Sequence, residues 1–235
     1  MKHFCFAAML LFVLGSPVWA VAVLDASYDA TPEDACALVG DGSSSSTYDI
    51  YERAQTFTSV AGGDVHSVSM HLAVGYYTDQ PLNLDILGVT TGNAPDNTNV
   101  LGSASLSAWT YDGLYDWRTF DFTGMGVQLT AGEMYALVLS ISDSDDEYWL
   151  GGTWWDPAWT GTAPKDIDPY SGGAGWYNGD DSGWILSTDH HKDWWFRVYR
   201  DEPSNNSGAI PEPASILLLG GGLVAALGRR RLKQQ

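Results

Sequence analysis

Two acidic stretches carry the side-chain oxygens that a calcium ion takes as ligands. The first stretch contributes four carboxylates: Asp143, Asp145, Asp146 and Glu147. The second places oxygens at positions 1, 3, 5 and 12 of a loop, with a glycine at position 6: Asn178, Asp180, Ser182 and Asp189. Such spacing lets a loop wrap a hard cation, although the loop departs from the usual pattern in its asparagine at position 1, its short aspartate at position 12 and its lack of flanking helices. The sequence therefore offers Ca²⁺ as a cofactor at either stretch, with plain acidic loops as the alternative.

The chain is also rich in tryptophan, and most of it is concentrated in one region. Eight of the eleven tryptophans lie between residues 149 and 195. Four of them stand in Gly- and Pro-rich sequence and are candidates for a flat platform under a sugar ring: Trp154, Trp155, Trp159 and Trp176. The alternative is that these rings pin long loops onto the core, since an indole buries a large area.

Catalytic signatures are lacking in the sequence. It contains no Gly-x-Ser-x-Gly elbow, no His-Glu-x-x-His and no phosphate loop. His66 and His71 are five residues apart, so strict strand alternation would place them on opposite faces. Acids are too abundant for any one pair to indicate glycoside hydrolysis. We therefore expect no enzymatic activity, with a glycoside hydrolase as the alternative.

The C-terminal 26 residues have three parts. Pro211, Glu212 and Pro213 form a motif that the prolines keep extended, as a protease requires of its substrate. An apolar run of 14 residues follows, which is shorter than the roughly 20 residues of a full membrane span. The run is followed by basic residues that favour the cytoplasmic side and act as a stop: Arg229, Arg230, Arg231 and Lys233.

This tail resembles the PEP-CTERM sorting signal of Gram-negative bacteria. The resemblance implies export, transient anchoring in the inner membrane by a C-terminal helix, and processing by an exosortase, followed by residence in the cell envelope or extracellular matrix. It also implies a link to exopolysaccharide and biofilm formation, which makes exopolysaccharide a candidate partner. A single anchor that is never processed is the alternative.

The N-terminus predicts a secretory signal peptide. A basic start is followed by an apolar run over residues 4–14 and by small residues near Ala20. Signal peptidase and the secretion machinery are then partners. The expected organisation is a signal peptide over 1–20, an exported domain over 21–200, a flexible Ser/Asn/Gly linker over 201–209 and the sorting signal over 210–235.

The charge of the exported part excludes one class of partner. Residues 21–210 hold 6 Lys and Arg against 28 Asp and Glu, a net charge of −22. Such a surface repels nucleic acid and anionic lipid. Once the signal peptide has been removed, Cys36 is the sole cysteine, so no internal disulfide is predicted.

Period-two alternation predicts an all-β, antiparallel β-sandwich of jelly-roll type. Residues 68–74, 82–86, 119–122, 135–141 and 194–199 each place apolar side chains on one face, between turn residues. We expect Leu72, Leu84, Phe122, Leu137 and Phe196 to share one core. We also expect Gly132, in Leu129-Thr130-Ala131-Gly132, to supply a positive φ in a tight turn.

Motifs over residues 55–199 resemble the choice-of-anchor β-sandwich domains, which precede several kinds of surface-anchoring signal. They include Trp117-Arg118-Thr119-Phe120-Asp121-Phe122 and Leu129-Thr130-Ala131-Gly132. These are core and turn residues, so the resemblance implies a fold and no active site. Two functions remain: a non-enzymatic structural, adhesive or glycan-binding protein, which we favour, and an envelope polysaccharide hydrolase.

Overall fold

A computed structural model describes residues 21–29, 35–41, 50–74, 79–110, 114–142, 147–153, 170–179, 183–187 and 193–202. They belong to one unit, Val21–Glu202. The described residues form strands and no helix, so no helix among them could cross a membrane. In chain order the strands are β1 (Ala22–Tyr28), β2 (Ala35–Asp41), β3 (Ile50–Thr58), β4 (Gly63–Val74), β5 (Leu82–Val89), β6 (Pro95–Leu106), β7 (Asp116–Asp121), β8 (Gln128–Leu129), β9 (Met134–Ser140), β10 (Glu147–Thr153), β11 (Gly175–Gly179), β12 (Ile185–Leu186), β13 (Asp193–Trp194) and β14 (Phe196–Asp201).

The strands form the two layers of an antiparallel β-sandwich. One layer has the order β1-β14-β4-β7, with β10 pairing further along β4. The other has the order β12-β11-β3-β9-β5-β6. Strand β2 pairs with β10 along most of its length and with β3 at its end, and so connects the layers. The predicted all-β sandwich is confirmed.

The core lies between the two layers. The five residues that the alternation assigns to one core are all fully buried in a single cluster: Leu72, Leu84, Phe122, Leu137 and Phe196. Phe57 of β3 and Phe196 of β14 meet across the layers, with their ring centroids 5.7 Å apart. The period of two thus fixes the inward face of each strand, because every second side chain points to the same side.

The predicted boundaries need one correction. Strand β14 runs through Asp201, which pairs with Ala22 of β1. The Glu202 N–H donates to the Val21 carbonyl oxygen at 2.8 Å. The first two residues of the predicted linker therefore belong to the sandwich. The signal peptide, the remainder of the linker and the sorting tail lie outside the described residues.

Candidate functional site

The outward side of the β14-β4-β7 layer collects aromatic residues. On β4, Met70 and Leu72 point into the core, so Ser69 and His71 point outward. His71 pairs directly with Trp117 of β7. Because the inward side chains of these strands are packed in the core, the backbone holds the outward side chains in fixed positions.

Four aromatic rings converge on this surface. The His71 ring lies 5.2 Å from that of Trp117, 5.1 Å from that of Trp195 and 5.6 Å from that of Tyr115, centroid to centroid. Trp195 is buried and supports the others, whereas His71, Tyr115 and Trp117 are half-buried. We call this surface, together with Arg197, the aromatic face (His71, Tyr115, Trp117, Trp195 and Arg197).

Arg197 completes the aromatic face. Its guanidinium carbon lies 3.9 Å from the centre of the Trp117 ring, within the range of a cation–π contact. Its Nη2 and Nε donate to Oδ2 of Asp29 at 2.8 and 3.2 Å. The guanidinium is therefore fixed both by a ring and by a carboxylate, and it keeps a third of its surface exposed.

Polar groups border the rings. Ser69 Oγ and Thr119 Oγ1 are 2.8 Å apart, on the strand pair that also carries His71 and Trp117. Further along β7, hydrogen bonds from the side chain and backbone of Thr123 hold the pKa of Asp121 below its usual value. The Asp121 carboxylate consequently stays ionised at neutral pH and adds negative charge to this side of the layer.

This combination suits a sugar ring. The C–H face of a pyranose can pack against half-buried aromatic rings, while hydroxyl and guanidinium groups at the edge bond its hydroxyls. Sequence reasoning missed the aromatic face because its members come from three strands. One signal was available in the sequence. Trp117, Thr119 and Asp121 occupy every second position of one strand, on its outward side, and Trp117 is a large aromatic residue in a row that is otherwise polar.

Trp176 is not part of an exposed platform, contrary to the sequence interpretation. It lies in β11, where it pairs with Ala54 of β3 and is only 8% exposed. It packs with Ala54, Leu87, Ala136 and Val138 in a second apolar cluster on the outward side of the other layer. The indole covers the outer side of the sheet there, because its large apolar area is buried against these side chains. The other three platform candidates, Trp154, Trp155 and Trp159, lie outside the described residues.

The calcium candidates are described only in part. Glu147 begins β10, and its backbone pairs with Gly40. Asn178 lies on β11 and is 7% exposed; its Nδ2 donates to Oε2 of Glu52 at 2.9 Å, while its buried Oδ1 has no hydrogen-bond partner among the described residues. The described residues contain no group of three or more His, Cys, Asp or Glu side chains that could hold a metal. The remaining candidates lie outside them: Asp143, Asp145, Asp146, Asp180, Ser182 and Asp189.

The topology relates the two acidic stretches. Strands β9 and β11 flank β3 and run in the same direction, because each is antiparallel to it. The β3 residue Glu52 pairs with Asn178, and its neighbour Arg53 pairs with Leu139. Both acidic stretches thus follow strands that end at the same end of the sheet, a relation that the sequence alone did not reveal.

The two histidines of β4 have separate partners. His66 Nδ1 lies 2.8 Å from Oδ1 of Asp201, whereas His71 stacks among the aromatic rings. The register shifts where Tyr199 and Arg200 pair with Ser67 and Val65, so β4 bulges at His66. Strict alternation, on which the sequence argument relied, therefore does not hold between the two histidines.

The fold and these contacts define the class of the described part, an antiparallel β-sandwich with an outward aromatic surface. Residues 209–231 match the PEP-CTERM protein-sorting motif. The chain thus carries a C-terminal sorting signal of exosortase substrates, and this signal indicates export and membrane-associated sorting. The motif residues Pro211, Glu212 and Pro213 and the basic residues Arg229, Arg230 and Arg231 all lie within the match. Lys233 lies just beyond it.

Comparison of the folded part gives little more. No curated protein matches the chain. Among solved structures it is similar to the cysteine protease and lectin-like domains of Cwp84, a surface layer associated protein of Clostridium difficile, with 12% identity and a TM-score of 0.43. That similarity covers 66% of this chain but only 33% of the Cwp84 chain.

Proposed function

We propose that this protein is a non-enzymatic component of the cell surface or extracellular matrix, and that its sandwich binds polysaccharide through the aromatic face. The observation that carries the proposal is the contact of Trp117 with both His71 and Arg197 on the outward side of a rigid sheet. A rigid aromatic surface loses little conformational entropy when a ligand binds, so modest contacts suffice for binding.

The sorting motif supports the cellular setting of this proposal. After export, the tail would hold the protein at the inner membrane until an exosortase acts, and the domain would then pass to the envelope or matrix of a Gram-negative cell. The net charge of −22 over residues 21–210 favours solubility in a hydrated matrix. A polysaccharide-binding domain in that compartment would fix the protein to the material around the cell.

A polysaccharide-binding assay with matched tryptophan variants tests the proposal. The full chain, purified in mild detergent, is screened against soluble polysaccharides, and binding is measured by affinity electrophoresis and calorimetry. Trp117→Ala should weaken binding at least about tenfold, which corresponds to about 1.4 kcal/mol. Trp184→Ala is the control, because Trp184 packs at the cluster on the other layer, where its Nε1 donates to Asn97.

Two outcomes would contradict the proposal. Equal binding by wild type and Trp117→Ala would remove the aromatic face from the ligand site. Steady release of new reducing ends from the polysaccharide would instead favour the hydrolase alternative, which requires two suitably spaced carboxyl groups at the bound sugar.

A further inference from the structure

Arg197 is the cation of the aromatic face, and one edge of its guanidinium is already occupied. The described residues contain four arginines and no lysine. Three of the four lie over aromatic rings: Arg53 over Tyr177, Arg118 over Trp109 and Arg197 over Trp117. Arg197 also donates from both Nε and Nη2 to Asp29. One of the edges that could grip an incoming carboxylate or sulfate with two hydrogen bonds is therefore taken, and the carboxylate of Asp29 offsets the positive charge.

From this geometry we infer that the aromatic face selects uncharged polysaccharide and that Asp29 is the specificity-determining residue. The inference rests on the proposed function and adds the class of ligand. Asp29 cancels the charge of Arg197 while leaving Nη1 to donate to a neutral hydroxyl. Asp29 is exposed and does not belong to the core, so its position is suited to setting specificity and not to folding.

The surrounding charges favour the same class of ligand. Asp121 is ionised on the same side of the layer, and the whole exported part carries −22. A uronate or sulfated polymer would approach against this field and meet, on the aromatic face, a guanidinium whose charge Asp29 already offsets. A neutral polymer meets aromatic rings and the exposed hydroxyl of Thr119, which donates and accepts without charge, while its partner Ser69 is buried beneath.

The test uses polysaccharide pairs that share a backbone and differ in charge. Dextran is compared with dextran sulfate, and hydroxyethyl cellulose with carboxymethyl cellulose, on the full chain in detergent at low salt. For a pair that binds, the neutral member should bind at least about tenfold more tightly, and the gap should narrow as salt screens the repulsion.

Two variants of equal charge change separate a specific effect of Asp29 from bulk charge. Asp29→Asn should shift the preference about tenfold toward the anionic member, because it removes the negative charge that offsets Arg197. Asp64→Asn removes the same charge from a carboxylate that accepts from Gln128, whereas Arg197 donates to Asp29, and it should leave the ratio unchanged. Unchanged melting temperatures for both variants confirm that folding is intact.

The outcomes separate this inference from the proposed function. Preference of the wild type for anionic polymers, lost in Trp117→Ala, would overturn the inference and leave polysaccharide binding in place. Equal shifts in Asp29→Asn and Asp64→Asn would also overturn it, since only net charge would then matter. Binding of neither member of any pair would instead contradict the proposed function itself.

Discussion

Gln55 and Asp193, 138 residues apart in the chain, are joined by a buried hydrogen bond from Gln55 Nε2 to Asp193 Oδ1 at 2.9 Å. The same glutamine accepts from the Trp194 N–H at 2.7 Å, and the second carboxylate oxygen of Asp193 accepts from the Tyr170 N–H at 3.1 Å. One amide side chain on β3 thus ties β13, and the chain at Tyr170, to the sandwich.

Replacing Gln55 should be costly. Gln55→Leu removes the acceptor of the Trp194 N–H and the donor to Oδ1 of the buried Asp193 carboxylate. Because buried polar groups that lose a partner are costly, we expect the free energy of unfolding to fall by about 3 kcal/mol. Urea denaturation followed by tryptophan fluorescence measures the change. Gln128→Leu is the matched control, since Gln128 is exposed and should change stability by less than about 0.5 kcal/mol. Similar losses of stability in both variants would mean that the buried hydrogen bonds of Gln55 contribute no more than the contacts of an exposed glutamine.

The core predicts a second stability effect. Phe122 is fully buried, so Phe122→Ala should destabilise the domain by about 3–5 kcal/mol through the lost apolar burial and the cavity left behind. Met125, in the same turn and 51% exposed, provides the control Met125→Ala, with an expected change near zero. Thermal unfolding compares the two variants. A small effect at Phe122 would contradict the assigned core.

The turn at Gly132 tests a backbone effect without a packing effect. Gly132 has φ of +80°, as predicted, and a Cβ added there would meet no atom within 4 Å. Gly132→Ala should therefore cost about 1–2 kcal/mol from conformation alone, and Gly132→Asn should cost less because asparagine tolerates this region. Chemical denaturation of both variants gives the comparison. Equal losses would indicate a cause other than the left-handed backbone.

The inward face of the sandwich could be predicted because it depends on a local pattern. Leu72, Leu84 and Leu137 each belong to a row of large apolar side chains that recurs at every second residue of its own strand, and burial follows from that period of two. Strand β11 could not be predicted in this way. It has five residues and begins and ends with glycine, and Trp176 is buried only because β11 pairs with β3.

The aromatic face could not be predicted from the sequence for a related reason. His71 meets Trp117 through the register between β4 and β7, and meets Trp195 where the chain returns between β13 and β14. Neither relation leaves a local trace in the sequence. The sorting motif is the opposite case: it is linear, so the order of its residues was sufficient to identify it.

Sorting predicts a covalent change at the C-terminus. Glu212→Ala should leave folding intact and block processing, because the change alters the recognised motif and lies outside Val21–Glu202. Mass spectrometry of the mature C-terminus, in cells with and without the exosortase, measures the result. Deletion of residues 229–233 is the contrasting variant and should weaken membrane retention or orientation. An intact C-terminal end at Gln235 in both kinds of cell would show that the tail acts only as an anchor.

Calcium binding at the acidic stretches stays a prediction with a simple test. If Ca²⁺ binds residues 143–147 or 178–189 of the native state alone, millimolar calcium should raise the melting temperature, and EDTA should reverse the rise. Asp145→Asn and Asp180→Asn, made separately, assign the effect to one stretch. No shift with either calcium or EDTA would reduce both stretches to acidic loops.

The C-terminal strand of the domain is an interior strand, which determines how the molecule resists a pull. Strand β14 is hydrogen-bonded to β1 on one edge and to β4 on the other, and the chain leaves it at Asp201 toward the tail. A force that pulls the C-terminal end of β14 along the strand would therefore shear both ladders together. Many hydrogen bonds must then fail at once, and no edge strand can be peeled away bond by bond. The sandwich is thus built to stay folded when its C-terminal strand is pulled along its own length.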